Sequence, residues 1–443
     1  MRVRRLAILL TALASASPAP PSLAESVALV GGRVYPRPRD APIEDGAVLV
    51  RDGQIVEVGE RSAVALPADA EVVDCSGAIV VAGFWNSHVH FMERKWADPS
   101  SIPAAELESQ LAAMLTRWGF TSVFDTGSSL ENTLELRRRI EQDGVPGPRI
   151  RTAGEVLVPV GGAPPALVLD VKGSMRIETP ELADAAAAQA AARRLLDSGA
   201  DGLKLYAATW APPLVVMPEE VLRAAVDEAH RRGRPALAHP SNREGLLAAV
   251  RAGVDVLVHT TPQMGTWDDT TIAAMKGAGV AVVPTLQLWG YELRHDRDSA
   301  RERFVAAGVA QLSAWLAAGG VVLFGTDVGY MANYDPAQEY ALMARAGMDF
   351  RQILESLTTA PAERFGDATR LGAVAPGFVA DLVVLDGQAA DDVRVFTAVR
   401  FVIKEGRFIY RERAGRAERQ ILAGLEHPNI SRLLDGSTAG GQP

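Results

Sequence analysis

Between residues 83 and 327 the chain repeats one unit, a short apolar run followed by a stretch of helical periodicity. The apolar runs fall at 83–90, 121–126, 149–156, 202–206, 234–239, 254–259, 280–286 and 321–327. Eight is the number of strands that closes a parallel (β/α)8 TIM barrel, so an α/β barrel is expected. Helical patterns fill the gaps at 104–117, 130–142, 180–198, 218–232, 242–252 and 301–318. Pro218 suits a first helical position, and Ser241 or Asn242 suits an N-cap.

Outside this region both ends of the chain read as β-structure. Residues 27–50 alternate apolar and polar side chains, with turn signals at Gly31-Gly32 and Asp45-Gly46, and strands follow at 55–59 and 72–81. Segments 381–387 and 399–410 carry the same pattern, which predicts one small β-sandwich domain built from 25–82 and 371–411 around a barrel of 83–370. Residues 412–434 suit one polar helix, and the Gly- and Ser-rich end of 412–443 suits disorder.

The first 24 residues have a basic start, an apolar stretch and small residues at Ser22 and Ala24, the pattern of an export signal cleaved before Glu25. The stretch is shorter than the roughly 20 residues a membrane span needs, so a periplasmic or secreted protein with no membrane attachment after cleavage is expected. Cys75 is the single cysteine, which excludes an internal disulfide. A formal charge of −9 disfavours nucleic acid and anionic membranes as partners. A small-molecule substrate is the expected partner, and a homo-oligomer stays open.

Six residues lie at or near the ends of the predicted strands: His88 and His90, Lys204, His239, His259 and Asp327. A parallel barrel gathers its strand ends around one mouth, so the set predicts a metal-centred active site. Alternation along a strand points His88 and His90 to one face, and Lys204 with Tyr206 to one face. A lysine inside a barrel is costly when charged and unpaired, and carbamylation by carbon dioxide would make it an anionic bridge between two cations. Taken singly, each has a plainer reading: a hydrogen-bonded histidine, a rim lysine, or an aspartate capping the next helix. Five His or Asp residues at strand ends make five separate accidents improbable. His230, His295 and His427 sit in helical or loop contexts and are read as non-ligands. Tyr206 either contacts substrate or fills the barrel. Met92, Trp96, Met264, Trp267, Trp289, Tyr330, Met331 and Tyr334 are placed on mouth loops, where they suit an apolar substrate or pack the loops themselves.

These residues, together with VVAGFWNSHVH, TTAPAERFG and GAVAPGFVADLVVLDG, resemble the metal-dependent amidohydrolase superfamily over nearly the whole chain. DGLKLY resembles the imidazolonepropionase-like and Xaa-Pro or Xaa-Arg dipeptidase branch, whose lysine is carbamylated. The chain departs from that pattern at Ala82, at Asn86 and at Ala163, where a proline, an aspartate and a histidine are commoner. The first two are expected to matter little, and Ala163 weakens any transfer of dipeptidase specificity. The resemblance implies two divalent ions, zinc by ligand type, with His88, His90 and Asp327 holding one and His239 and His259 the other. Carbamylated Lys204 and a hydroxide would bridge them, and Asp327 would act as the catalytic base. The implied reaction is hydrolysis of an amide, with a lactonase or phosphotriesterase-like esterase, or a non-catalytic barrel scaffold, as alternatives.

Overall fold

A computed structural model describes residues 26–162, 179–209, 214–387 and 392–412. The predicted signal segment, Ala163 and the predicted helix after residue 412 lie outside the described residues.

All eight barrel strands are present: Phe84–Val89, Phe120–Asp125, Arg149–Thr152, Leu203–Tyr206, Ala236–His239, Val256–Val258, Ala281–Val283 and Val321–Val322. The first three pair in parallel as one sheet and the last five as another. Two seams close the ring. Leu157 N donates to Lys204 O at 2.9 Å and Tyr206 N to Leu157 O at 2.8 Å. Across the other seam, Ser87 N donates to Phe324 O at 2.7 Å and Asp327 N to His88 O at 2.9 Å. The result is a TIM barrel with a separate sheet domain.

The strands are shorter than the apolar runs that announced them. The seventh ends at Val283, and the apolar residues that follow form a helix, Leu286–Glu292. Helices Asp269–Gly277, Ala337–Arg345, Phe350–Leu357 and Thr359–Arg364 also stand where no helix was expected. Glu181–Leu182 pairs as a short strand, so the predicted 180–198 helix begins only at Ala185 with Asp184 as its cap. Pro218 is the N-cap of Glu219–Arg231, one position earlier than expected, while Asn242 caps Arg243–Ala252 through its side chain.

The two chain ends meet in one hydrogen-bonded sheet of eight strands, in which Ala78–Ala82 pairs antiparallel with Leu382–Asp386. Alternation assigns its faces. Val27, Leu29, Val48, Val50, Val80, Ala82, Leu382, Val384 and Ile403 pack on one another as the core of the small domain. Their neighbours Ile79, Val81, Val383, Leu385 and Val402 face the other way and join the cluster that includes the barrel helices. A third cluster places Trp85, Phe124, Leu237, Val256, Val258 and Val283 against Phe365 and Leu371 inside the barrel.

Candidate metal centre

Every residue of the sequence-derived set sits at the C-terminal mouth of the barrel, and His88, Lys204, His239, His259 and Asp327 are buried. His90 and Tyr206 are partly covered. The rings form a chain: His88 lies 5.0 Å from His90 and 4.7 Å from His259, His259 lies 4.7 Å from His239, and Tyr206 stacks on His239 at 4.5 Å. Ligand atoms of His88, His259 and Asp327 fall within 4.8 Å of one another. Asp327 Oδ1 is 3.2 Å from His88 Nε2 and 2.9 Å from His90 Nε2.

Simple alternation does not explain how these side chains converge. The first strand shifts register between Phe84 and Trp85 and again between Asn86 and Val89. His259 follows Val258, which packs inside the barrel, and strict alternation would turn the imidazole outward. Its φ of 76° reverses that, as φ 63° does for Asp327. Such left-handed non-glycine backbone costs on the order of 1–3 kcal/mol per residue and persists only where the surroundings enforce it.

Those surroundings include residues that sequence reasoning passed over. Gly127 O accepts from His90 Nδ1 at 2.9 Å, the Thr285 hydroxyl lies 2.7 Å from His259 Nδ1, and the Thr126 hydroxyl lies 3.1 Å from His88 Nε2. Asp125 fixes the Gly127 segment by accepting from Gly127 N, Ser128 Oγ and Thr152 Oγ1. Asn86, expected to matter little, ties the first strand to the eighth: its Nδ2 donates to Thr326 Oγ1 at 2.7 Å, and its Oδ1 accepts from the backbone of Thr326 and His88. Asn86 stands two residues before His88, and nothing nearby in the sequence marks Asp125, Thr126, Gly127 or Thr285 for these roles.

The protonation pattern calls for a cation. A carbonyl can only accept, so His90 Nδ1 carries a hydrogen, and Nε2 is the ring nitrogen that faces the Asp327 carboxylate. Burial pushes His88 down to about 3, with Lys204 adding to the effect, and holds His239 and His259 well below the imidazole range. Burial raises the Asp327 carboxyl, but the facing His88 and His90 more than offset this and leave it well below the usual carboxylate range. The imidazoles of His88, His239 and His259, kept neutral by burial beside an ionised carboxylate, with Asp327 Oδ1 and His239 Nδ1 both buried and lacking a hydrogen-bond partner, are a donor set that fits divalent metal. Lys204 Nζ has no hydrogen bond or ion pair among the described residues, and burial pushes its ammonium down to about 7.

The aromatic residues placed on mouth loops mostly pack the loops. Met92, Trp96, Trp267, Trp289 and Met331 are buried, and Trp289 sits on the Leu286–Glu292 helix, donating to Thr260 Oγ1 at 2.7 Å. Tyr206 and Tyr330 pack on a small cluster of Met92, Val156 and Val158.

Comparison with known proteins agrees with this architecture. An uncharacterised protein of Mycobacterium tuberculosis is 34% identical over 145 residues, 31% of this chain, and the chain spans 38% of its length. Ochratoxinase of Aspergillus niger is 23% identical over 406 residues, 83% of each chain. Imidazolonepropionase of Acidiphilium cryptum is 26% identical over 247 residues, 56% of this chain and 54% of that protein. The crystal structure of a prolidase complexed with N-methylphosphonate-L-proline superposes with a TM-score of 0.72 at 27% identity, covering 87% of this chain and 100% of that one. The amidohydrolase family matches residues 79–409, most of the sequence, and this chain belongs to that family.

Proposed function

We propose that this protein hydrolyses the carbon–nitrogen bond of a small amide, such as an N-acyl amino acid, a dipeptide or an aromatic amide, at a centre of two divalent ions. The observation that carries the reading is the buried junction of neutral imidazoles and an ionised carboxylate at the barrel mouth. His88, His90 and Asp327 would hold one ion, His239 and His259 the other, and carbamylated Lys204 would be shared. Imidazole and carboxylate donors suit zinc. Bound there, divalent ions supply Lewis acidity for the scissile carbonyl and lower the pKa of water towards about 7.

The chain's own groups do the rest. Asp327 Oδ1, ionised and close to the His88 and His90 rings, accepts the proton of the attacking water and returns it to the leaving amine. Burial raises the Tyr206 phenol, which therefore stays protonated and donates to the developing oxyanion or to a substrate carboxylate. A buried amine pushed down to about 7 is in substantial part the free base that carbon dioxide requires at neutral pH.

Similarity to ochratoxinase and to a prolidase supports amide hydrolysis over the lactone and phosphotriester alternatives. The leader-like residues 1–24 support export to the periplasm or beyond, and the β-patterned ends flanking the strand–helix alternation support a small domain of 25–82 and 371–411 around a barrel of 83–370. Among the described residues no helix is long and apolar enough to cross a membrane. The test combines metal analysis of the purified chain with kcat/KM on N-acyl amino acids, dipeptides and homoserine lactones. Two ions per chain with amide turnover is the expected result. Faster lactone turnover would overturn the amide reading, and fewer than one ion per chain with no turnover would restore the scaffold alternative.

A further inference from the structure

The turn that leaves the second barrel strand, from Asp125 to Ser128, holds four consecutive residues of the first. The Thr126 hydroxyl lies within 3.2 Å of both ring nitrogens of His88, and Thr126 N donates to Val89 O at 3.0 Å. Gly127 O accepts from His90 Nδ1 at 2.9 Å, and Ser128 Oγ accepts from Phe91 N at 2.7 Å. One short turn therefore touches both histidine rings of the first strand and the backbone on either side of His90.

Asp125 fixes that turn from within. Its Oδ1 accepts from Gly127 N at 3.3 Å and Ser128 Oγ at 2.6 Å, and its Oδ2 accepts from Thr133 Oγ1 at 3.2 Å and Thr152 Oγ1 at 2.7 Å. Thr152 belongs to the third strand and Thr133 to the helix Leu130–Glu141, so a fully buried carboxylate locks the turn to two further elements. The histidines across the mouth have much less support. His259 Nδ1 meets one hydroxyl, that of Thr285 at 2.7 Å, and His239 Nδ1 has no hydrogen-bond partner among the described residues.

A ring held by such outer hydrogen bonds presents its other nitrogen in one fixed direction, which strengthens metal binding. We propose that Asp125 is a positioning residue for one ion alone, that of His88, His90 and Asp327, and that it acts through the turn at 126–128 on the two histidine rings. The assignment rests on the metal-centre reading of the proposed function. It adds an asymmetry: disturbing Asp125 should loosen that ion and spare the one on His239 and His259. A carboxylate that only stabilised the second strand would lower the melting temperature without changing how the folded chain binds metal.

The test measures zinc affinity by competition with a chromophoric chelator, on the full chain and in a His239→Ala/His259→Ala background that keeps only the first ion's ligands. Asp125→Ala should weaken zinc by about 10- to 100-fold in that background, the usual effect of removing such an outer partner. In the full chain it should weaken one of two ions. Asp125→Asn should recover part of the affinity, because its amide oxygen can still accept from Gly127 N and Ser128 Oγ. If Asp125→Ala does not fold, Ser128→Ala takes its place, since it removes the bonds to Phe91 N and to Asp125, and it should weaken zinc in the same background. Unchanged affinity in the folded variants, equal weakening of both ions, or an Asn variant no better than Ala overturns the proposal. Wild-type chain that binds no zinc would overturn the metal-centre reading, and this assignment with it, whereas two ions bound alike by wild type and variants would overturn this assignment alone.

Discussion

At the scale of single residues, the centre depends on charge states that only its geometry makes tolerable. Asp327→Asn keeps the volume but removes both the base and a metal-holding anion, so turnover should fall by at least the roughly 10²–10⁴-fold typical of general-base loss. Lys204→Ala should abolish turnover and lower the metal count from two per chain while the circular dichroism spectrum stays intact. Near-normal activity in either variant would contradict the proposed roles. The six residues stand out in the sequence for a reason that their hydrogen-bonding neighbours lack. Histidines and a lysine at the ends of apolar runs are chemically conspicuous, because each needs a reason to be there. Asn86, Thr126 and Thr285 are ordinary polar residues whose work consists of hydrogen bonds to partners 26 to 240 positions away. Nothing local marks such a bond. The left-handed turns at His259 and Asp327 are equally silent, since neither residue type demands a positive φ.

At the scale of elements, barrel strands were legible because an apolar run flanked by helical periodicity has few other uses. Their ends were not, and the seventh shows why: residues 280–286 are one apolar run, but Thr285 takes φ 43° and the chain turns into a helix at Leu286. Glu339 from a later helix secures that turn, its carboxylate accepting from Leu286 N at 2.9 Å and Gln287 N at 2.7 Å. Burial outweighs those two bonds and pushes Glu339 from an ordinary 4.5 up to about 8. Between these values the folded chain holds a proton that the unfolded chain releases, so stability should decline as pH rises across that window. Urea unfolding from pH 5 to 8 should show this slope, and Glu339→Gln should flatten it; an unchanged slope would mean that Glu339 does not titrate there. The seam beside Asp327 offers a second check. Gly329 has φ 96°, and a Cβ there would sit 1.8 Å from His90 O. Gly329→Ala should therefore displace His90 and cost bound metal as well as stability, which metal analysis of the soluble variant would reveal.

At the scale of the whole molecule, the small sheet is fastened to the barrel strand that carries the first histidines. Gly83 N donates to Asp381 O at 2.7 Å, immediately before the Phe84–Val89 strand begins. The Asp381 carboxylate accepts from Arg149 at 2.8 Å and from Glu405 N at 2.9 Å, so one side chain ties the third barrel strand to the turn that follows Val399–Lys404 in the sheet. Burial lowers the Arg149 guanidinium, but Asp381 and Glu405 more than offset this and hold it above its usual value. Removing Asp381 would leave the partly buried Arg149 with only the exposed Glu405 carboxylate, 2.7 Å away, a change that costs up to about 3 kcal/mol, the low end for a broken buried pair. Asp381→Ala should lower stability by about that amount in urea unfolding, with sheet and barrel still unfolding in one transition. Arg149→Met combined with Asp381→Ala should recover part of the loss, because no unpaired charge then remains inside. If the double variant were instead as unstable as the sum of the singles, the pair would not be coupled, and the union of the two domains would rest on their shared apolar face alone.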